Sequence, residues 1–311
     1  MRAIRREFEE KETDPARRWF FEPFVPDTVI WRGAAEGAAP TPWELVPTDE
    51  LASDPQFWML NPGEIWHGFA HVVPGYAMTD PNKLTLLTPG IDRGTGEYKS
   101  HGVPAPVVTE YLRENRIVAE KNDLHSILFL LTPGVESSKA GTLLSWLVTF
   151  KKLHDDNAPL QEVIPELVRR RSPRYAGVGL RDLCTEMHGF YRDRQVGRLQ
   201  RLQFRKRHFP EMAMKPDEAV RQLVRNNVDY LPIDGIAGRI ATTLMLVYPP
   251  GIATIVPGER LGERAQPMID YLRVFERAAN LFPGFETEIQ GVYREKEADG
   301  SIRFYTYVAR E

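Results

Sequence analysis

Residues 102–134, GVPAPVVTEYLRENRIVAEKNDLHSILFLLTPG, hold a helix and two strands in a single run, and their order sets the architecture around them. Gly102, Val103 and Pro104 open the helix, because a proline at the first turn brings a fixed φ and lacks an N–H that would go unpaired there. Val107, Val108, Tyr111 and Leu112 then fall at helical spacing and give it one apolar face. Residues 117–120 and 126–131 are predicted as short strands. Upstream, KLTLLTPG (residues 83–90) predicts a strand closed by a turn. Downstream, Ala140, Leu143, Leu144, Leu147, Val148 and residues 150–153 predict a longer helix packed on one side. Strand, helix, two strands and helix make an α+β layer.

Ahead of this layer, residues 1–18 predict a charged helix broken near Asp14 and Pro15, followed by the aromatic segment WFFEPFVP (residues 19–26). Residues 33–47, rich in Ala, Gly and Pro, predict a loop or flexible insert. A polar, proline-bearing link at residues 155–159 ends the layer, and helices take over. Leu180, Leu183, Cys184, Met187, Phe190 and Tyr191 form an amphipathic stripe, and Pro216, Asp217 and Glu218 mark a helix start. A long helix over residues 265–281 precedes a hairpin, in which Asp299 and Gly300 turn strand 289–294 back into strand 302–308. The second half is thus a mixed α/β domain, without internal repeats or low-complexity tracts.

With 311 residues and 42% hydrophobic content, the chain can bury two compact cores. A formal charge of −3 supplies no global basic field, so nucleic acid is not expected as a partner. No apolar stretch approaches the roughly 20 residues that span a bilayer, and the charged start MRAIRREFEEKETD lacks a signal core, so a cytoplasmic location is expected. The single cysteine, Cys184, excludes an internal disulfide and reads as a packed core thiol.

Few residues announce chemistry by themselves. His67 and His71 stand four apart in WHGFAH, but Gly68 and the neighbouring aromatics suggest a loop, no third ligand is evident, and no metal is expected. The run Arg192, Arg194, Arg198, Arg201, Arg205, Lys206 and Arg207 predicts a solvated face or a subunit contact. Glu120 ends the Ile117-Val118-Ala119 stretch, where a poorly solvated carboxylate would favour a cation; a surface acid paired with Lys121 fits the residues as well. In residues 240–259, IATTLMLVYPPGIATIVPGE, two Pro-Gly elements interrupt an apolar run. Tyr248 is held extended by Pro249 and Pro250, as a stiff surface turn between two strands requires and as an aimed phenol also would.

TDPNKLTLLTPGI (residues 79–91), residues 102–134, LRDLCTEMHGFYR (residues 180–192), YPPGIATIVPGE (residues 248–259) and FPGFETEIQGVY (residues 282–293) resemble, in the same order, the carboxy-terminal part of the bacterial ornithine/lysine/arginine decarboxylases. The likeness runs over roughly residues 57–311. It implies the small subdomain of an aminotransferase-like, fold type I enzyme over residues 57–156 and a mixed α/β carboxy-terminal domain over residues 157–311, after an irregular segment at residues 1–56. It also implies pyridoxal phosphate as cofactor of the complete enzyme, conversion of a basic amino acid to a polyamine-type amine and carbon dioxide, and a dimer or larger ring with active sites at the subunit interface. By the same resemblance Glu120 lines the substrate pocket and Tyr248 reaches the neighbouring subunit's site, while Pro249, Pro250, Gly251, Gly258 and Glu259 shape its edge.

The sequence also departs from the family pattern. Nothing before Lys83 resembles the family's wing or cofactor-binding domain, and no His-Lys pair is present to supply the Schiff-base lysine. This chain is therefore expected to hold no catalytic residue and no covalent cofactor, and to be inactive alone. It would complete a site with a cofactor-bearing half or subunit, or else serve as a non-catalytic module bound to an intact decarboxylase. Whether the substrate is lysine, ornithine or arginine stays open, because one glutamate suits an ammonium or a guanidinium.

Overall fold

The computed structural model describes residues 18–30, 39–248 and 251–310. The helix expected over residues 1–18 falls almost wholly outside these, as do Pro249, Pro250 and residues 33–38 of the expected loop. The chain divides into two compact units, each described by itself: residues 1–166 with 177–185, and residues 167–176 with 186–311.

In the first unit, β1 (Glu22–Pro23), β4 (Lys83–Leu87), β5 (Lys121–Asn122) and β6 (Ser126–Leu130) form an antiparallel sheet in the order β1-β4-β6-β5. A two-residue ladder, β2 (Thr28–Val29) with β3 (Thr41–Pro42), and the short helix α1 (Thr48–Ser53) stand apart from it. Helix α2 (Ala105–Glu114) buries Val107, Val108, Tyr111 and Leu112, the face its spacing predicts. Helix α3 (Ser137–Asp155) buries Leu143, Leu147 and Phe150, and the Phe150 ring meets that of Tyr111 at 5.3 Å. Burial of four such side chains stabilises by roughly 6–12 kcal/mol before entropy is counted, so this face fixes the helices on the sheet.

Two expectations change here. Ala140 is exposed, because only the later turns of α3 meet the core. Residues 117–119 form no strand. Helix α2 ends with Arg116 at φ 63, the left-handed conformation common just beyond a helix end, and the Ile117 N–H returns to the Leu112 carbonyl. The chain then rejoins the sheet only at Glu120, whose N–H donates to the Leu128 carbonyl at 2.9 Å.

The second unit contains most of the remaining elements, with helix α4 (Leu180–Asp193) contributing to both units. The α4 stripe is buried as its spacing predicts, and burial pushes the Cys184 thiol well above its ordinary value. Helices α5 (Val196–Gln203), α6 (Pro216–Val224) and α7 (Gln266–Leu281) accompany a sheet of β12 (Tyr293–Lys296), β13 (Ile302–Ala309) and β8 (Val228–Pro232), in that order. Two-stranded ladders join β7 (Glu211–Met212) to β10 (Glu259–Arg260), and β9 (Leu246–Tyr248) to β11 (Glu288–Gln290).

The strand expected over residues 289–294 is therefore split: β11 pairs with β9, and β12 pairs with β13. Gly291 stands at the break with φ +76, and a β-carbon there would lie 2.0 Å from the Leu244 carbonyl oxygen. The backbones approach so closely that only glycine fits. The Asp299-Gly300 turn is present but wider than expected, closing through the Glu297 N–H to the Ser301 carbonyl.

At the end of the sheet, Asp229 accepts from Arg239 at 2.6 Å and from Arg310 at 3.1 Å. The Arg239 hydrogen bond, then that of Arg310, hold its carboxyl below the 3.8 of a free aspartate. A depressed folded pKa contributes stability that is present above the unfolded value and lost as pH falls through the folded one. Asp229→Asn should therefore melt at a lower temperature than the wild type at pH 7, with the two melting curves converging as pH drops below 3.8.

Candidate functional site

Glu120 belongs to the first unit and Tyr248 to the second. Glu120 leads into β5, an edge strand of its sheet, and is exposed, as is Val118 at 79%. The expectation of a poorly solvated acid is thus corrected for this chain. The apolar Ile-Val-Ala run ahead of it makes no ladder, so nothing in the run removes the carboxylate from water. An exposed carboxylate binds a cation weakly, by ~1 kcal/mol or less, unless another surface covers it.

Tyr248 ends β9, opposite Glu288, and is 36% exposed. Its ring packs on the far side of the turn: Gly251 has φ +79, and a β-carbon there would meet the ring at 3.1 and 3.3 Å. The Gly251 N–H closes the turn on the Val247 carbonyl at 3.4 Å. The glycine of Y-P-P-G therefore gives the phenol ring its resting surface.

The PGE element is a second fixed turn. The Gly258 carbonyl accepts from the N–H groups of both Ala213 and Met214, and its own N–H donates to Ala241. The Glu259 carboxylate accepts from the Val256 N–H at 2.8 Å, which lowers its pKa, but burial outweighs this and raises it. Glu259 is thereby engaged in holding its own turn.

His67 is locked in a loop. Its Nδ1 accepts from the Phe69 N–H at 3.0 Å and its Nε2 lies 2.9 Å from the Asn61 carbonyl. Among the described residues no group of three or more His, Cys, Asp or Glu is placed to hold a metal. Much of the basic run, Arg198, Arg201, Arg205, Lys206 and Arg207, lines an open surface depression in the second unit.

Two polar features escaped the sequence reasoning. The loop after β4 helps form a cavity of about 310 Å³ lined by Glu22, Asp27, Thr88, Asp92, Arg93 and Lys99 among others, where Arg93 pairs with Asp27. The Thr88 hydroxyl is buried without a partner, and hydrogen bonds from Thr95 hold the Asp92 carboxyl low. The T-P-G-I-D sequence right after a strand was the available signal. Inside α3, Lys151 is fully buried, with Nζ 2.5 Å from Asp155 and 5.0 Å from the Phe20 ring centre. It sat unseen within an apolar stretch.

The two glycines differ in how much room an alanine would find. At Gly258, φ is +93 and the new β-carbon would lie 2.2 Å from the Met214 carbonyl oxygen, whereas at Gly251 it meets only a ring that can swing. Gly258→Ala should cost about 2–3 kcal/mol and Gly251→Ala about 1 kcal/mol in urea unfolding. Equal losses would show that the Gly258 contact relaxes freely.

Comparison with known proteins places this architecture. The model of the Orn/Lys/Arg decarboxylase major domain matches residues 2–139, and that of the Orn/Lys/Arg decarboxylase C-terminal domain matches residues 197–310. The likeness thus begins at residue 2, well before the expected residue 57, and takes in the segment before Lys83. The constitutive ornithine decarboxylase of Escherichia coli is 43% identical over 295 residues, covering 95% of this chain and 40% of that protein. The lysine decarboxylase LdcA of Pseudomonas aeruginosa is 40% identical over 268 residues, 85% of this chain and 34% of that one. The structure of the Escherichia coli constitutive lysine decarboxylase superposes with a TM-score of 0.80 at 28% identity, covering 99% of this chain and 38% of that chain. The chain spans about two fifths of the length of these relatives. Two family models met in collinear order, over an α+β structure that follows the solved relatives, establish that this chain belongs to the Orn/Lys/Arg decarboxylase family.

Proposed function

We propose that these residues are the carboxy-terminal portion of a pyridoxal-phosphate-dependent decarboxylase of ornithine, lysine or arginine, which works only together with a cofactor-bearing region. The observation that carries this is the collinear match to both family models across a chain two fifths as long as the relatives. In this assignment residues 57–156 are the small subdomain and residues 157–311 the terminal domain.

Among the described residues, the buried lysine does not fit the cofactor. A Schiff-base lysine must offer a neutral amine to an open pocket, but the Lys151 side chain is buried and engaged by Asp155. No step is therefore assigned to the cofactor on this chain. What the chain contributes is binding and shape. Once covered by the partner surface, Glu120 would accept the distal cation of the substrate through a charge-assisted hydrogen bond, and that loss of water would give the exposed carboxylate its strength. Tyr248, seated on Gly251, would close the edge of a partner's pocket.

Mixing the 311-residue chain with the cofactor-loaded amino-terminal region of the Escherichia coli constitutive ornithine decarboxylase should yield amine from at least one of the three substrates, while neither part alone should. Glu120→Gln should raise KM for that substrate roughly 10- to 100-fold, the weight of a hydrogen bond to a charged group. Binding to an intact decarboxylase with no new activity, unaffected by Glu120→Gln, would instead favour a non-catalytic module.

A further inference from the structure

The first unit holds a cleft of about 830 Å³ between the residues around α1, the outer end of the sheet and the exposed early turns of α3. Its walls include Trp19, Trp43, Trp58, Leu84, Leu131 and Leu144. Many of the polar atoms of these walls are used within the chain, with Glu44 and Thr48 as further polar residues of the lining. The three indole N–H groups donate to the carbonyls of Phe21, Phe57 and Leu51 at 2.7, 3.0 and 2.8 Å. At the rim, the Asp54 carboxylate accepts from Gln56, and the Ser53 hydroxyl donates to the Asp49 carbonyl. What the walls present is mainly carbon: ring faces and aliphatic branches.

A pocket of this volume that served a small metabolite would carry convergent polar groups to orient it. Here the lining is mainly ring and aliphatic carbon, and the indole N–H groups are committed to the chain's own backbone, so the cleft matches an apolar stretch of polypeptide. Met78, which also lines it, is 42% exposed. Exposed apolar surface at an apolar cleft marks an interaction site. The family's major-domain model runs over residues 2–139, which carry most of the cleft wall, while the relatives continue well beyond the length of this chain.

We propose that the cleft seats an apolar segment of the family's major domain lying outside these 311 residues, and so forms the docking surface for the cofactor-bearing region. This rests on the function proposed above and names the surface by which that function would be assembled. A carboxylate placed in the cleft would have to be buried without a partner, so it should weaken docking far more than one placed elsewhere.

The test uses the full chain with the amino-terminal region of the Escherichia coli constitutive ornithine decarboxylase as probe, followed by sedimentation and by tryptophan emission. Leu144→Asp and Met78→Asp each change a side chain that is not fully buried, and Val224→Asp, at a position 80% exposed in the second unit, is the control. Variants are compared only where their far-UV spectra and melting temperatures match the wild type. The expected result is a Kd raised at least about 100-fold by either cleft variant, no change with Val224→Asp, and a blue shift of emission on docking that the cleft variants lose. Wild-type affinity and restored amine formation in both cleft variants would overturn the docking surface while leaving the proposed function standing. Self-association of the chain alone, abolished by the cleft substitutions, would assign the cleft to a second copy and overturn the proposal. Failure of the wild-type chain to bind the probe at all would overturn both.

Discussion

Apolar surface has to be covered, and the organisation of the first unit follows from how far this chain can do so. Helices α2 and α3 close over the sheet through Tyr111, Leu112, Leu147 and Phe150, with Leu86 and Ile127 buried on the strands. That side is complete. The early turns of α3 continue past the core and remain exposed, and the tryptophan-walled cleft lies beside them. A helix that runs beyond its own core beside an apolar cleft is what the proposed docking surface rests on.

The second unit is held differently, by backbones that approach too closely for a side chain. Gly258 against Met214 and Gly291 against Leu244 fix where the ladders cross, and Gly251 sets the surface on which the Tyr248 ring lies. These glycines are the reason for the P-G and Q-G punctuation in the sequence. The turns they form hold Tyr248 and Glu259 in place without asking much of the side chains, and Glu259 is occupied by the Val256 N–H.

Periodicity foretold whatever local burial decides. The apolar faces of α2 and α4 were legible residue by residue, as was the Pro216 helix start, because each depends on spacing within one element. Contacts made by distant segments were not. Residues 117–119 look like a strand but hang beyond a left-handed helix end, and residues 289–294 look like one strand but serve two partners. The buried Lys151 hid inside an apolar run because its partner, Asp155, lies one turn further along the same helix. Of the site, the need for glycine at Gly251 beside Tyr248 was readable, whereas the exposure of Glu120 was not, since hydration depends on what covers an edge strand.

The exposed carboxylate of Glu120, the Tyr248 ring on Gly251 and an apolar cleft make sense together if the chain supplies binding surfaces to a site whose chemistry resides elsewhere. The most direct measurement is carbon dioxide release from carboxyl-labelled ornithine, lysine and arginine as a fixed amount of cofactor-bearing region is titrated with the chain. The account predicts no release from either part alone, and release that rises with added chain and saturates at one chain per cofactor-bearing region. Complex formation without release from any of the three amino acids, at any ratio, would contradict it.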